Sequence, residues 1–392
     1  MASSRKQTIL AIETSCDESA IAIADFFASG RVRVWSHLIS SQTKLHARFG
    51  GVVPNLARRE HEKNLVPILI QTLKEAGMFA QKAPVKNKEM TVILAREPEL
   101  LRRFKKYIPT LAPPPIDAIA VTYGPGLAPA LWVGVNFARA LAALWNKPLI
   151  PINHMAGHFF STLLQKESSA SPQPTTYNLQ PVIFPAVALL VSGGHTELVL
   201  VKKPWRFQII GETRDDAVGE AFDKVARILG LPYPGGPVLS RLAEKGDPQK
   251  YPLPSPMLHT PNYDFSFSGL KTAVFYLIRD MPQTKFGAEK KRDIAASFEK
   301  AAIAVLVKKT VRAAREYKAK TILIGGGVSA NQLLRQQLHQ AIKQYLPPTT
   351  YYLPPSDLTG DNALMIAAAA YIAGMKKVPT QDVRTDANAR LG

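Results

Sequence analysis

Cysteine is almost missing from this sequence, which has only Cys16 among its 392 residues. One thiol excludes an internal disulfide, and such a chain is typical of a reducing compartment. Long hydrophobic runs are also missing, since the alanine-rich segment 363–373 is shorter than the about 20 residues that cross a bilayer. The basic N-terminus is followed by an apolar run that Glu13 and Asp17 interrupt, which argues against a signal peptide. We therefore expect a cytoplasmic protein with no membrane partner.

Acidic residues are scarce relative to basic ones. The chain has 30 Asp and Glu against 49 Lys and Arg, for a net charge of +19. This surplus favours a polyanionic partner such as nucleic acid, although a generally basic proteome would give the same balance. Because 392 residues exceed one ordinary hydrophobic core, we expect two domains.

Two stretches share one layout, in which an apolar strand, a small polar tip and a second apolar strand follow one another. The first covers 8–24 with its tip at 13–19, and the second covers 186–201 with its tip at 192–197. Small residues at such tips let backbone N–H groups approach phosphate oxygens. An ordinary hairpin turn explains either tip alone, but their repetition indicates two similar domains facing one another.

A pair of histidines, His154 and His158, stands at the start of a predicted helix. Their spacing puts both rings on one helix face, close enough to share a metal ion. A bare pair of this kind is more often two polar residues near a surface, and Met155 stands where a zinc protease carries its glutamate. A third ligand must come from elsewhere, and the chain offers Asp361, for which a helix N-cap is the alternative role.

Glycine-rich loops follow two predicted strands. Residues 124–126 lead from strand 116–122 into a helix, a layout that points N-terminal amides at an anion, although the Walker lysine is absent. Residues 325–327 follow strand 321–324, and three glycines there predict close approach of a ligand to the backbone. Together with the two hairpins, these loops predict a nucleotide in a cleft between duplicated α/β domains.

Two segments interrupt the pattern of strands and helices. Residues 82–106 hold eight Lys or Arg against three Glu, and we expect a surface insertion, partly helical, whose charges are either solvated or contact phosphates. Residues 165–181 include a run of Ser and Pro and predict a flexible excursion between the halves. On the helix that precedes the insertion, His61 is expected on the solvated face, with a functional role as the alternative.

The motifs together resemble those of the tRNA threonylcarbamoyladenosine transferase (TsaD) family. The resemblance covers nearly the whole chain apart from the two interrupting segments, and many motifs in the right order are more specific than any one. The stretches that carry it are IETSCDE at 12–18, GPGL at 124–127, NHMAGH at 153–158, LVSGGHT at 190–196, GEAFDK at 219–224, YPGGP at 233–237, SFSGLK at 266–271, GGGVSAN at 325–331 and DN at 361–362.

The resemblance implies an α/β fold of the actin/Hsp70/sugar-kinase superfamily. It implies two duplicated actin-like ATPase (RNase H-like) domains with a nucleotide and metal cleft between them. The expected divisions are an N-terminal domain at 1–164 with the basic insertion near 80–115, the excursion at 165–181, a C-terminal domain at 182–354, and a last segment at 355–392 whose Asp361 and helix pack back across the cleft.

The resemblance also implies an activity and its site. The family transfers the threonylcarbamoyl group from threonylcarbamoyl-AMP to N6 of adenosine 37 in tRNAs that read codons starting with A, and AMP leaves. It implies one divalent metal ion per subunit, Fe²⁺ first and Zn²⁺ as the alternative, held by His154, His158 and Asp361. Contacts with threonylcarbamoyl-AMP, or with ATP or AMP, are implied for Val191, Ser192, Gly193, Gly194, His195, Asp223, Gly236 and Asn331. Ser240 stands where the family often has an acidic residue that touches the substrate.

The residue types suit acyl transfer to a weakly nucleophilic amine. Such a reaction needs a group that accepts the amine proton, and Asp17 and Glu18 are the candidates. The basic surface suits the anticodon arm of tRNA. Bacterial members usually work with two helpers, a paralogue that dimerises with them and a small ATPase, so we expect these partners as well.

Three other functions share part of this pattern. An ATP-dependent kinase or ATPase of the same superfamily would use the fold and the glycine loops but would not need the histidine pair. A metalloprotease would need a glutamate in place of Met155. A non-catalytic tRNA-binding scaffold would explain the charge but not the metal-like triad. The transferase alone explains all of these features together.

Overall fold

The computed structural model describes residues 6–85, 88–167, 174–282, 286–376 and 378–392, so 86–87 of the predicted insertion and 168–173 of the predicted excursion lie outside it. The strands are β1 (Gln7–Glu13), β2 (Glu18–Phe26), β3 (Arg31–Ser41), β4 (Ala118–Gly124), β5 (Leu149–Asn153), β6 (Leu164–Lys166), β7 (Thr175–Leu179), β8 (Ala186–Val191), β9 (Thr196–Val201), β10 (Phe207–Glu212), β11 (Thr321–Gly325) and β12 (Thr350–Tyr352). The α-helices are α1 (Thr43–His46), α2 (Pro54–Glu75), α3 (Glu89–Ile93), α4 (Pro98–Tyr107), α5 (Ala128–Trp145), α6 (His154–Ser161), α7 (Val218–Ile228), α8 (Gly235–Ala243), α9 (Ser268–Arg279), α10 (Ala288–Glu316), α11 (Gln332–Tyr345) and α12 (Ala363–Ile372).

The chain forms two compact units. The first comprises Met1–Leu45, Val52–Pro181 and Gly360–Leu391, and the second comprises His46–Gly51, Val182–Thr359 and Gly392. The last helix, α12, therefore belongs to the first unit, where it packs against β1, β2 and α6.

The first unit is built on a sheet with the strand order β5-β4-β1-β2-β3-β7-β6. The predicted hairpin is confirmed, because β1 pairs antiparallel with β2, while β1, β4 and β5 run parallel. Leu10 and Ile12 of β1 lie in one hydrophobic cluster with α2 and α5. Side chains alternate along a strand, so Ile9 and Ala11 face the other side, where the alanine-rich α12 packs.

The parallel strands place three chain positions at one edge of this sheet. β1 ends at Glu13, β4 ends at Gly124 and β5 ends at Asn153. Because the carboxyl ends of parallel strands meet at the same edge, residues just beyond these ends come together there. The candidate site of this unit forms at that edge.

The second unit repeats the arrangement with the strand order β10-β9-β8-β11-β12. Here β8 pairs antiparallel with β9 and parallel with β11, which is itself parallel to β12. The order β3-β2-β1-β4-β5 in the first unit matches the order β10-β9-β8-β11-β12 in the second, when the strands of each unit are numbered along the chain. This shared order confirms the duplicated α/β architecture that the two hairpins predict.

The predicted insertion is helical, but the expectation that it lies only on the surface is wrong for its apolar side. Leu100 and Phe104, one turn apart on α4, are fully buried. The ring of Phe104 meets that of Phe137 on α5 edge to face, with centroids 6.0 Å apart. This side of α4 therefore forms part of the core of the first unit, and its charged side faces outward.

Helix α5 is long and apolar enough to cross a membrane, which the sequence did not lead us to expect. Among the described residues it is the one helix that passes this test by length and composition. Because 67% of its length is buried inside the protein, we interpret it as a core helix of the first unit.

Candidate functional site

Helix α6 fixes the two histidines of the predicted metal site. Oδ1 of Asn153 accepts hydrogen bonds from the backbone N–H of Met155 (2.9 Å) and of Ala156 (3.2 Å). Asn153 is therefore the N-cap, and the helix begins at His154. His154 and His158 lie one turn apart, and their ring centroids are 4.6 Å from each other.

Asp361 joins this pair from the other end of the chain. Its Oδ1 lies 3.4 Å from Nε2 of His154 and 3.1 Å from Nε2 of His158. Nitrogen and oxygen ligands about 2.1 Å from one ion stand about 3.0 to 3.4 Å apart in octahedral or tetrahedral geometry. The two distances to Asp361 and the two-nitrogen, one-oxygen donor set suit a divalent transition metal, and the three ligand atoms lie within 4.8 Å of one another.

The alternative role of Asp361 is excluded by its neighbour. Oδ1 of Asn362 accepts a hydrogen bond from the N–H of Met365 (2.9 Å), so Asn362 is the N-cap of α12. Asp361 keeps 20% of its side chain exposed, whereas the histidine side chains keep 7% and 0%. The cluster is thus closed on the histidine side and open beside the carboxylate.

Glu13 is a member of this site that the sequence did not reveal. Its Oε2 lies 3.1 Å from Nδ1 of His154 and accepts a hydrogen bond from Oγ1 of Thr122, 2.5 Å away. Its Oε1 accepts one from the N–H of Ser15, also 2.5 Å away. A carboxylate bound to the outer nitrogen of a ligand histidine orients the ring and makes it a stronger ligand. Only its position at the end of β1 hinted at this role.

The ionisation of the cluster favours a cation at its centre. Burial opposes the charged form of Asp361, but His154 and His158 hold its pKa well below the ordinary value. Burial opposes the imidazolium of His154 too, yet Asp361 and Glu13 raise its pKa well above the ordinary value. Two carboxylates therefore stay ionised around the rings, and a metal ion would neutralise them.

The tip of the first hairpin carries the two candidate proton acceptors. Burial, with Asp361 and Asp17 nearby, raises the pKa of Glu18 well above its ordinary value. A hydrogen bond joins the side chains of Asp17 and Glu18, and Oγ of Ser41 donates to Oε1 of Glu18 (3.2 Å). The structure thus brings both acids together at the tip, and the charge of Asp361 acts on Glu18.

His61 contacts the tip of the first hairpin. The expectation that it lies on a solvated helix face is therefore wrong. The side chain is fully buried. Its Nε2 lies 2.9 Å from the carbonyl oxygen of Cys16, and its Nδ1 lies 2.7 Å from Oγ of Ser19. Because a carbonyl only accepts, Nε2 carries the proton and Nδ1 accepts from the serine hydroxyl.

The loop 124–126 does not form the anion site that its layout predicts. The N–H of Gly126 donates to the carbonyl oxygen of Ala387 (3.2 Å), and that of Leu127 donates to Ser15 (2.8 Å). A Cβ on Gly124 would lie 1.7 Å from the carbonyl oxygen of Asp386. Glycine is needed here because the C-terminal segment of the same chain packs on the loop.

Glycine loops of the second unit leave open space for a ligand. Val191 ends β8, and Ser192 Oγ accepts a hydrogen bond from the N–H of His195 (3.1 Å), which closes the tip. Added Cβ atoms at the neighbouring glycines would meet nothing within 4 Å, and these residues are Gly193, Gly194 and Gly327. Gly326 differs, because its φ is +89 and a Cβ there would lie 2.3 Å from the carbonyl oxygen of Val191.

The three remaining predicted contact residues, Asp223, Gly236 and Asn331, belong to hydrogen-bonded turns of the second unit. Oδ1 of Asp223 accepts from the N–H groups of Gly235 (2.8 Å) and Gly236 (2.9 Å) at the start of α8. Oδ1 of Asn331 accepts from the N–H of Leu334 (2.8 Å) and caps α11. These bonds fix the positions of both side chains.

Glu299 is a second acid that the sequence did not reveal. Nδ2 of Asn331 donates to Oε1 of Glu299 (2.6 Å) and to Oγ of Ser240 (3.0 Å). Burial raises the pKa of Glu299, which is only 6% exposed. An acid from α10 thus reaches the neighbourhood where Ser240 replaces the acidic residue frequent in the family. Its position in the middle of a long helix gave no signal.

The fold and the first-unit cluster together define a candidate metal-binding protein of the actin-like fold class. The crystal structure of T. kodakarensis HypF is similar in fold, with a TM-score of 0.54 at 12% sequence identity over 95% of this chain and 47% of that one. At that identity the likeness concerns the fold alone.

The family is shown by sequence comparison. Residues 33–83 and 109–368 match the family model described as TsaD, tRNA N6-adenosine threonylcarbamoyltransferase. A protein of that name from Enterococcus faecalis is 42% identical over 95% of this chain and 91% of its own length. One from Moorella thermoacetica is 44% identical over 94% and 92%. The chain belongs to this family.

Proposed function

We propose that the protein transfers the threonylcarbamoyl group from threonylcarbamoyl-AMP to N6 of adenosine 37 in tRNAs that read codons starting with A. The observation that carries this proposal is the family match over most of the chain. The near full-length relatives bear the name of this transferase. The net charge of +19 suits a tRNA substrate.

The proposed reaction is an acyl transfer to an amine. The N6 nitrogen attacks the carbamoyl carbon, and a C–N bond forms while the bond from that carbon to the phosphate oxygen breaks. AMP leaves with the electron pair, and N6 gives up a proton. Asp17 or Glu18 takes this proton, and their place together at the tip of the first hairpin supports the assignment.

His154, His158 and Asp361 would hold one divalent ion, Fe²⁺ first and Zn²⁺ as the alternative. Such an ion supplies Lewis acidity toward phosphate and carbonyl oxygens. The protein's own part is orientation, since Glu13 at Nδ1 of His154 turns Nε2 toward Asp361, and Nε2 would give up its proton to an incoming ion. The open side next to Asp361 supports a substrate-accessible centre.

The glycine loops of the second unit would bind the adenylate part of the substrate. The open space at Gly193, Gly194 and Gly327 supports this assignment, because backbone amides there can approach phosphate oxygens. We assign contacts with the adenylate to residues 191–195 and to Asp223, Gly236 and Asn331, which are held in hydrogen-bonded turns. Glu299 would hold Asn331 in place through its short hydrogen bond.

The partners of the reaction remain part of the proposal. We expect tRNA bound through its anticodon arm, together with a paralogous dimerisation partner and a small ATPase, in the cytoplasm. A reconstituted assay tests the function, with threonylcarbamoyl-AMP, an ANN-decoding tRNA and candidate partners, read by nucleoside mass spectrometry. Modified adenosine formed without ATP supports the transferase. Steady ATP hydrolysis without modification would favour the ATPase alternative instead.

A further inference from the structure

The family match is interrupted between residues 83 and 109, where this chain carries the helices α3 and α4. Helix α4 packs on the core of the first unit through Leu100 and Phe104. Nδ2 of Asn136 on α5 also donates to Oε1 of Glu97 (3.1 Å), just before α4 begins. Helix α4 is thus held firmly on the core at a place where the family model does not match this chain.

The acidic residues of α4 and its N-terminal end do not neutralise Lys105 and Lys106. Glu97 is buried, and Glu99 accepts hydrogen bonds from Arg102 (2.7 Å) and Arg103 (2.6 Å). Lys105 and Lys106 are exposed and have no acidic partner among the described residues.

Arg102, Lys105 and Lys106 form a basic stripe on this helix. Residues three and four positions apart lie on the same helical face. Glu99 partly neutralises Arg102, whereas the two lysines have no such partner among the described residues. An anionic partner would therefore complement the charge of Lys105 and Lys106.

We propose that the basic stripe of α4 is a docking surface for the phosphates of tRNA, additional to the contacts that the family shares. This inference rests on the proposed function, which supplies tRNA as the polyanion. Exposed aromatic surface beside the stripe favours RNA over an acidic protein. Tyr107 is 41% exposed with Nζ of Lys106 5.1 Å from its ring centroid. Rings beside cations suit bases and sugar-phosphate backbones.

The test compares tRNA affinity between the full-length protein and its variant Lys105→Gln/Lys106→Gln across a salt series. Each lysine on a phosphate contributes about one to the slope of log affinity against log salt, so we expect the slope to fall by about 2. With 1 M salt as the reference, a slope change of about 2 corresponds to a loss of about 40-fold in affinity near 0.15 M salt. In steady-state transfer, KM for tRNA should rise while KM for threonylcarbamoyl-AMP stays unchanged.

A matched control removes the same charge elsewhere. Lys202 and Lys203 are exposed residues after β9, and Lys202→Gln/Lys203→Gln should bind tRNA with nearly wild-type affinity. Equal losses in both variants would overturn the proposal, because total charge would then explain the effect. Wild-type affinity and slope in the α4 variant would also overturn it, leaving a protein partner for the stripe. A wild-type protein that neither binds nor modifies tRNA would overturn the proposed function as well.

Discussion

Oε2 of Glu13 lies 3.1 Å from Nδ1 of His154. With Glu13 ionised, this contact keeps a ring proton on Nδ1 and makes Nε2 the nitrogen that would lose its proton and bind a metal. Glu13 ends β1, and His154 opens the helix after β5. Glu13 and His154 are far apart in the sequence. The parallel pairing of β1, β4 and β5 brings them together and so creates the contact that orients His154.

Glu13→Gln should weaken metal binding by about 10- to 100-fold, because a neutral amide orients and polarises His154 less well. Zn²⁺ affinity, measured by competition with a chromogenic chelator, provides a readout independent of activity. The control is Thr122→Val, which removes a hydrogen bond to the same carboxylate but keeps its charge. Equal affinities in wild type and Glu13→Gln would show that Glu13 has no orienting role.

Glu18→Gln should stabilise the metal-free protein at alkaline pH. The pKa of Glu18 in the fold lies well above 4.5, its ordinary value. Below that ordinary value both proteins carry a neutral side chain. As pH rises above it, the unfolded wild type releases a proton that the folded state retains, so wild-type stability falls relative to the variant. We expect Tm values in EDTA to be similar at pH 4 and the variant to be a few degrees higher at pH 8. A difference that does not grow with pH would contradict the raised pKa.

Asp17→Asn and Glu18→Gln separate the two candidate proton acceptors. Loss of a general base lowers the rate by about 10²- to 10⁴-fold. The variant that removes the acceptor should therefore lose kcat to this extent while its metal content and adenylate affinity stay at wild-type values. If both variants keep wild-type kcat, the proton leaves by another route.

Gly326→Ala and Gly327→Ala form a matched pair on one loop. A Cβ at position 326 would lie 2.3 Å from a backbone oxygen, and its φ of +89 disfavours any side chain. We expect a loss of about 2 kcal/mol or more in the free energy of unfolding. A Cβ at position 327 meets nothing within 4 Å, so Gly327→Ala should unfold like wild type but bind threonylcarbamoyl-AMP more weakly. Unchanged affinity in Gly327→Ala would place the adenylate elsewhere.

The sequence predicted those features whose signals are local or repeated. Both hairpins followed from alternating apolar runs, and the helical spacing of His154 and His158 predicted their shared face. Asp361 was offered as the third ligand with a helix N-cap as its alternative role, and the family resemblance implied the ligand role. The apolar spacing of Leu100 and Phe104 was present in the sequence, but the dense charge around them led to the expectation of a surface segment.

The features that the sequence did not predict depend on partners distant in the chain. His61 looked solvated because its neighbours on α2 are charged, whereas its partners, Cys16 and Ser19, come from the first hairpin. The loop 124–126 looked like an anion site because nothing near it shows that the C-terminal segment covers it. Glu13 and Glu299 act through contacts that only the packed sheets and helices create.

The measurement that tests the central proposal most directly is the reconstituted transfer assay with wild type beside His158→Ala. It would use threonylcarbamoyl-AMP, an ANN-decoding tRNA and the candidate partners, with modified adenosine measured by mass spectrometry and bound metal by elemental analysis. We expect wild type to modify the tRNA, and we expect the variant to lose both the metal and the modification. Modification at the wild-type rate by a metal-free His158→Ala would contradict the metal centre, and no modification by wild type with its partners present would contradict the transferase itself.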